Sequence, residues 1–266
     1  NRQASKGTVI VRSPADIELF QFAHSHYNEK ARWALDWKGV PHKRTSLLPG
    51  PHIPVIRKLT GQTATPVLRI GDEIITGSGK IVQRLDEIFP DRPLLPADPE
   101  MVAAAFELQR TIDNGLGPAI RHCAFVAFRN EPGFLCDLMA GHVSLPKRLV
   151  YRAALPVLMW KINQMLNLDD RDLFEKQCTE ITRALDMIAS RINAHGYLAG
   201  EQFTLADMAA AAIATPLARP PEAQIKWPEN PPAQAADWNR RWRDHAACDW
   251  VREMFVRHRG TSAATD

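Results

Sequence analysis

Between residues 17 and 88 the spacing of apolar positions changes period in a fixed order. Ile17 to Phe22 (I-E-L-F-Q-F) alternates apolar and polar residues, the period of two expected of a half-buried strand. After a short polar loop, Ala31, Ala34, Leu35 and Lys38 fall at helical spacing, and Gly39 with Val40-Pro41 marks a stop. His42 to Leu48 reads as a second strand ending in the turn Pro49-Gly50-Pro51, and Ile53 to Leu59 as a short helix. Pro66 to Ile70, the turn Gly71-Asp72 and Glu73 to Ile75 form a hairpin signal. Ser78 is then positioned to cap a helix whose apolar face is Ile81, Val82, Leu85 and Ile88. The predicted order is β-α-β-α-β-β-α.

Pro90, Pro93, Pro96 and Pro99 follow, too dense to continue a helix or a central strand, so residues 90–99 are expected to be a linker. Beyond them the pattern is helical throughout. Met101 to Arg129 is long and amphipathic, Phe174 to Ala194 repeats apolar residues at three and four, and Thr204 to Leu217 is apolar nearly all round. A helix of that last kind belongs in the middle of a helical domain. His142 to Leu168 reads as an insertion broken by Pro146 and Pro156, with apolar residues flanked by Lys147, Arg148, Arg152 and Lys161. Packing on the helical domain is its expected role; contact with a membrane, or cover for a hydrophobic pocket, is the alternative. The expected divisions are an N-terminal extension at 1–16, an α/β domain at 17–89, the linker, an all-helical domain at 100–260 and a tail at 261–266.

Composition narrows the picture. The 266 residues are 45% hydrophobic and 24% charged, an ordinary globular balance, and a net charge of +3 scattered along the chain leaves no footprint for nucleic acid. Cys123, Cys136, Cys178 and Cys248 form no Cys-x-x-Cys pair and have no His at metal-ligand spacing, so they read as reduced core residues. No signal-peptide pattern is visible, and the longest apolar run, Ala153 to Trp160, is far short of a membrane span; a cytoplasmic protein is expected.

Three turns carry candidate chemistry. In Ala23-His24-Ser25-His26-Tyr27-Asn28, a polar residue sits between a strand end and a helix N-terminus, where backbone N–H groups and the helix dipole favour an anion such as a thiolate. Ser25 or Tyr27 could donate a hydrogen bond there; the alternative reading is that Ser25 or Asn28 only caps the helix. Thr65-Pro66 opens the hairpin either as a cis bond that presents Thr65's backbone to a peptide-like ligand or as an ordinary trans Pro at a strand edge. Thr76-Gly77-Ser78-Gly79 opens the next helix, suited to a carboxylate or simply to a cap. His24 and His26 lack a third metal ligand, and adjacent residues in a turn rarely align as a Ser-His nucleophile pair, so no metal site is expected.

Taken in order, these turns and the segment Tyr197-Leu198-Ala199-Gly200-Glu201-Gln202-Phe203-Thr204-Leu205-Ala206-Asp207 resemble the cytosolic glutathione transferase superfamily, specifically its serine-type, bacterial-like members. In that segment Thr204 and Asp207 form a reciprocal cap, with Phe203 as a staple. The resemblance spans roughly Ile17 to Gly260. It implies a thioredoxin-like N-terminal domain followed by an all-α domain, with glutathione as co-substrate and no metal. It places Ser25 as the catalytic hydroxyl, with Tyr27 as runner-up, and implies that Thr65 and a cis Pro66 hold the cysteinyl part of glutathione while Ser78 binds the γ-glutamyl carboxylate. Gly77 stands where an acidic residue or Gln is common, and Ala64 where a Lys is common. Asp113 resembles a residue that reaches the partner's glutathione in homodimeric members, and His52 or Gln62 would meet the glycine carboxylate. The absence of cysteine from this domain, with Asn28 where a redox protein would carry its second cysteine, points away from thiol exchange. The implied activity is detoxifying conjugation of glutathione to small hydrophobic electrophiles. Isomerase, dehalogenase or etherase chemistry on the same fold, or a non-catalytic binding module, are the alternatives.

Overall fold

The structure is a computed structural model that describes residues 16–265, so the expected extension lies outside the described residues except for Asp16. Its first unit contains β1 (Ile17–Gln21), α1 (His26–Trp37), β2 (Lys43–Ser46), α2 (His52–Thr60), β3 (Val67–Ile70), β4 (Glu73–Thr76) and α3 (Ser78–Ile88), in the order the pattern predicts. The strands lie side by side as β2-β1-β3-β4, with β1 and β2 parallel and the other two pairs antiparallel. Ile17, Leu19, Leu68 and Ile70 pack with Ala31, Ala34 and Leu35 of α1 and with Ile81, Val82 and Leu85 of α3. Phe20 and Val67 pack with Ile56 of α2 in a separate cluster.

β1 differs from a half-buried strand, because all five of its residues are buried. Its polar positions tolerate this because each is partnered. Glu18 accepts from Arg69 at 2.5 Å and from the Thr45 hydroxyl, while Gln21 accepts from Arg32 at 2.6 Å and donates to Ser46 at 3.1 Å.

The second unit is helical: α4 (Pro99–Thr111), α5 (Gly117–Phe128), α6 (Pro132–Ala140), α7 (Leu145–Leu166), α8 (Arg171–Arg191), α9 (Leu205–Ala218), the short α10 (Ala233–Asp237) and α11 (Ala246–His258). α9 is buried along its whole length, as an all-round apolar sequence requires. Asp207 fastens its start by accepting from Thr204 N at 2.8 Å, Thr204 Oγ1 at 2.7 Å and Leu198 N at 2.7 Å. All four cysteines are buried and free.

Two helical expectations need correction. Met101 to Arg129 is not one uniform helix, since a π-helical turn (Ile112–Leu116) separates α4 from α5. Conversely, prolines do not break 142–168, where α7 runs unbroken through Pro156. Pro146 lies in its first turn, where a missing N–H costs nothing, and Pro156 is exposed, so water can serve the carbonyl it leaves without a donor.

The units meet along α1, whose buried face carries charge. Glu29 accepts from Arg32 at 2.7 Å and from Arg259 Nε at 2.9 Å. Asp36 pairs with Arg259 at 2.9 Å and Arg44 at 2.8 Å, and accepts from Ala263 N at 2.8 Å. Beyond Arg259 the chain is therefore not a loose tail: Thr265 N donates to His42 O at 2.9 Å, and Ala264 bridges to His42 in parallel sense. Truncating Arg259 to Ala would remove the cation shared by Glu29 and Asp36 and leave each buried carboxylate one guanidinium, that of Arg32 and of Arg44 respectively. Urea denaturation of R259A should show a loss of about 3 kcal/mol or more, whereas an exposed pair such as Arg257–Glu253 should cost under about 1 kcal/mol.

Candidate functional site

The heads of α1 and α3 and the turn before β3 come together at the junction of the units. Ser25 is the N-cap of α1, in extended conformation at φ −89°, and its Oγ accepts from Asn28 N at 3.5 Å. That cap uses an oxygen lone pair and leaves the hydroxyl proton free to donate, so capping and anion binding are compatible. Asn28 is fully buried and its Nδ2 reaches Thr65 Oγ1 at 3.4 Å, which ties the cap of α1 to the Thr65-Pro66 turn. The Thr65–Pro66 bond is cis, the isomer the family resemblance implies.

At α3 the capping assignment shifts by one residue. Ser78 is the first residue of the helix and Gly77 occupies the N-cap at φ +87°. A side chain is strained at that φ, so glycine fits this position on backbone grounds alone. Thr65, Pro66, Gly77 and Ser78 line one wall of a cavity of about 410 Å³, and Gln109 and Asp113 line the facing wall. Ser25 does not itself line it. Asn28 makes the connection.

The facing wall is shaped by the π-helical turn. There Gly117 N–H bonds Ile112 O, so the next carbonyl, that of Asp113, would need a donor from Pro118, which has none. Tyr27 supplies it, its hydroxyl donating to Asp113 O at 2.5 Å. Gly117 leaves the room, since a Cβ there would sit 2.1 Å from the Tyr27 oxygen. Burial first, and the Asp113 charge second, push the Tyr27 phenol far above its ordinary value, so it remains protonated and committed to this contact.

The Asp113 carboxylate is also engaged. Lys30 Nζ stands 2.6 Å from both of its oxygens, and Gln109 Nε2 donates to it at 2.9 Å. Lys30 is wholly buried, and burial draws its ammonium down while Asp113 opposes that pull. Gln109 lies against α3 because residue 79 is glycine; a Cβ there would meet Gln109 Nε2 at 2.0 Å.

His52 and Gln62 are not brought to the cavity. His52 uses both ring nitrogens locally, Nδ1 accepting from Gly50 N at 3.0 Å and Nε2 meeting Thr63 O at 3.0 Å. Gln62 closes on Ala64, donating to its carbonyl at 3.1 Å and accepting from its N–H. Sequence reasoning missed Gln109, Lys30 and the bridging role of Asn28. Gln109 was detectable, because it stands one helical turn before Asp113 on the same face.

His24 and His26 flank Ser25 as neutral rings. Burial, with His142 and Arg32 adding smaller effects, lowers His24 to about 3; burial and then Arg121 lower His26 to about 3 as well. Neither supplies positive charge to an anion at physiological pH. Among the described residues no group of three or more His, Cys, Asp or Glu could hold a metal ion.

Residues 19–93 match the family profile for the glutathione S-transferase N-terminal domain, and residues 149–230 match that for the C-terminal domain. Together these ranges cover more than half of the chain, which belongs to the cytosolic glutathione transferase superfamily. It is 32% identical over 105 residues to Glutathione S-transferase 1 of Dianthus caryophyllus, covering 38% of this chain and 48% of that protein. It is 26% identical over 118 residues to a zeta class glutathione S-transferase of Euphorbia esula, covering 43% and 52% respectively. The chain thus spans about half the length of the curated relatives it matches. Among solved structures it resembles transferase GSTFuA3 of Phanerochaete chrysosporium (TM-score 0.60, 18% identity, 94% and 100% coverage). It likewise resembles beta-etherase LigF of Sphingobium sp. strain SYK-6 (TM-score 0.58, 19% identity, 90% and 99% coverage). At such identities the structures speak for the fold.

The neutral His26 gives a pH test. Its folded value lies below the ordinary 6.5, so between about 3 and 6.5 the unfolded chain binds a proton that the native chain does not, and stability falls as pH falls. Between pH 7 and pH 5 the wild type should lose up to about 2 kcal/mol more than H26Q in urea denaturation. Equal slopes would mean that His26 is not held neutral.

Proposed function

We propose that the chain is a serine-type glutathione transferase. Its cavity receives glutathione, and the thiolate attacks the electrophilic carbon of a small hydrophobic substrate. The observation that carries this reading is the linkage of three turns distant in sequence: Ser25 to Asn28, Asn28 to Thr65, and Thr65-Pro66 with Gly77-Ser78 along one cavity wall.

The thiol chemistry required is modest. A cysteine-like thiol titrates near 8.5, and a shift of about two pH units corresponds to about 2.7 kcal/mol in favour of the thiolate. One hydroxyl hydrogen bond from Ser25 together with the head of α1 can supply that much. With His24 and His26 neutral, neither flanking ring competes for this role. Ser25 stays un-ionised: it donates to the sulfur, the proton leaves the thiol for solvent, and the sulfur forms the new bond to carbon as a leaving group such as chloride departs with its bonding pair. Ser78, at the start of α3, is placed to receive a carboxylate on the helix's positive end. Tyr27 is a poor alternative donor because its proton is already given to Asp113 O.

A second reading, a glutathione-transferase-like binding module without catalysis, rests on one feature: the wall near Ser78 offers no free carboxylate for an ammonium group. Position 77 is Gly, and Asp113 is paired with Lys30.

Conjugation to 1-chloro-2,4-dinitrobenzene, paired with retention on immobilised glutathione, separates the two. Under the transferase reading the wild type is retained and conjugates, and S25A is retained but loses at least about tenfold in kcat/KM. Retention without any conjugation would support the binding module. An S25A variant as active as wild type would remove Ser25 from the mechanism. In addition, D113N should leave Lys30 buried without a counter-charge and cost about 3 kcal/mol in urea denaturation.

A further inference from the structure

α7 carries large apolar residues on two opposite sides but is covered on only one. Tyr151 and Leu155 are buried in a cluster with Phe128, Phe134 and Met139, and Ile162 on the same side is buried too. On the opposite side Leu145, Leu149, Val150, Val157, Trp160 and Met165 are between 58% and 73% exposed. Most of the large hydrophobic side chains exposed anywhere on the described residues are thus gathered on this one helix. α9, apolar nearly all round, is wholly buried, so the exposure of these side chains marks the outer face of α7 as an interaction surface.

The charges on α7 identify what it would meet. Lys147, Arg148, Arg152 and Lys161 are its only ionisable side chains of fixed sign, and it carries no Asp or Glu. Arg148 is paired with Asp137 at 2.7 Å, whereas Lys147, Arg152 and Lys161 are exposed with no ion pair among the described residues. A second copy docked by two-fold symmetry would set these cations against one another. An anionic lipid surface satisfies both features at once. It takes Trp160, Leu149 and Val157 into the headgroup boundary and the lysines onto its phosphates. No helix of the described residues is long and apolar enough to span a membrane, so the contact would be peripheral.

We propose that α7 is a membrane-surface helix, which lies flat on anionic lipid and holds the protein there. Its inner side bears on the first unit near the cavity's domain: Leu158 lies 3.6 Å from where a Cβ on Gly50 would stand, and Leu48 packs into the same cluster. A hydrophobic molecule partitioned in the lipid would thus be presented beside the junction of the two units. This consequence rests on the transferase reading; the lipid contact itself does not.

Co-sedimentation of the full chain with phosphatidylcholine vesicles, with and without phosphatidylserine, tests the contact. The wild type should pellet with the phosphatidylserine vesicles, and high salt should release it. K147Q/K161Q should lower that partition at least about tenfold, and V157Q/W160Q should do the same while retaining the wild-type melting temperature, because all four side chains are exposed. No wild-type binding, equal binding to pure phosphatidylcholine, or binding unchanged in both variants would overturn the proposal. So would light scattering showing that V157Q/W160Q converts a wild-type dimer to monomer, since the face would then be covered by a second copy. Glutathione retention, measured in parallel, reports on the transferase reading separately, so either can fail alone.

Discussion

The structure depends on α1 being a helix whose buried charges can be satisfied only from both units at once. Glu29 and Asp36 lie in its inward face, and their cations come from α1 itself, from β2 and, through Arg259, from the end of the helical unit. Burial alone would raise the Glu29 carboxyl, but Arg32 and Arg259 together hold it below its ordinary range. Apolar side chains would bind the units as firmly, but with little preference for one relative position. Guanidinium groups that must meet two carboxylates at hydrogen-bond distance define the register between the units, and Trp33, stacked on Phe203 and tilted against Phe255, fills the adjoining space.

That register is what builds the cavity. One wall belongs to the first unit and the other to the π-helical turn after α4, and a small shift of one against the other would separate Tyr27 from Asp113 O and Lys30 from its carboxylate. Glycines at 79 and 117 permit the close approach, because in each place a Cβ would lie within 2.1 Å of a side-chain atom of the opposite unit. The site is thus a product of the interface, and the charged network along α1 and the Lys30–Asp113 pair are two parts of the same constraint.

α7 and α9 show how apolar residues spread round a helix have opposite consequences in different places. α9 runs through the centre of the helical unit, where every face finds apolar neighbours. α7 lies at the periphery over a smaller cluster, and its outer face has none. Apolar sequence alone does not distinguish the two, since both patterns lack a polar stripe. Only position in the fold separates a core helix from a surface one.

The sequence by itself determined the order and type of the elements in the first unit, the helical nature of the second, and the capping residues Thr204 and Asp207, because period, turn residues and caps are local properties. It also pointed to Ser25, Thr65-Pro66, Gly77-Ser78 and Asp113 as places of interest. What only the tertiary structure decided was how those places are used. Tyr27 is withdrawn from chemistry by a carbonyl 86 positions away, His52 and Gln62 turn inward to their own loop, and Asp113 is engaged by Lys30. The π-helical turn, the unbroken course of α7 and the docking of residues 262–265 beside β2 likewise depend on partners remote in the chain. The physical reason is common to all of them: a polar or buried group takes whichever partner the fold brings within about 3 Å, and sequence spacing carries no record of that distance.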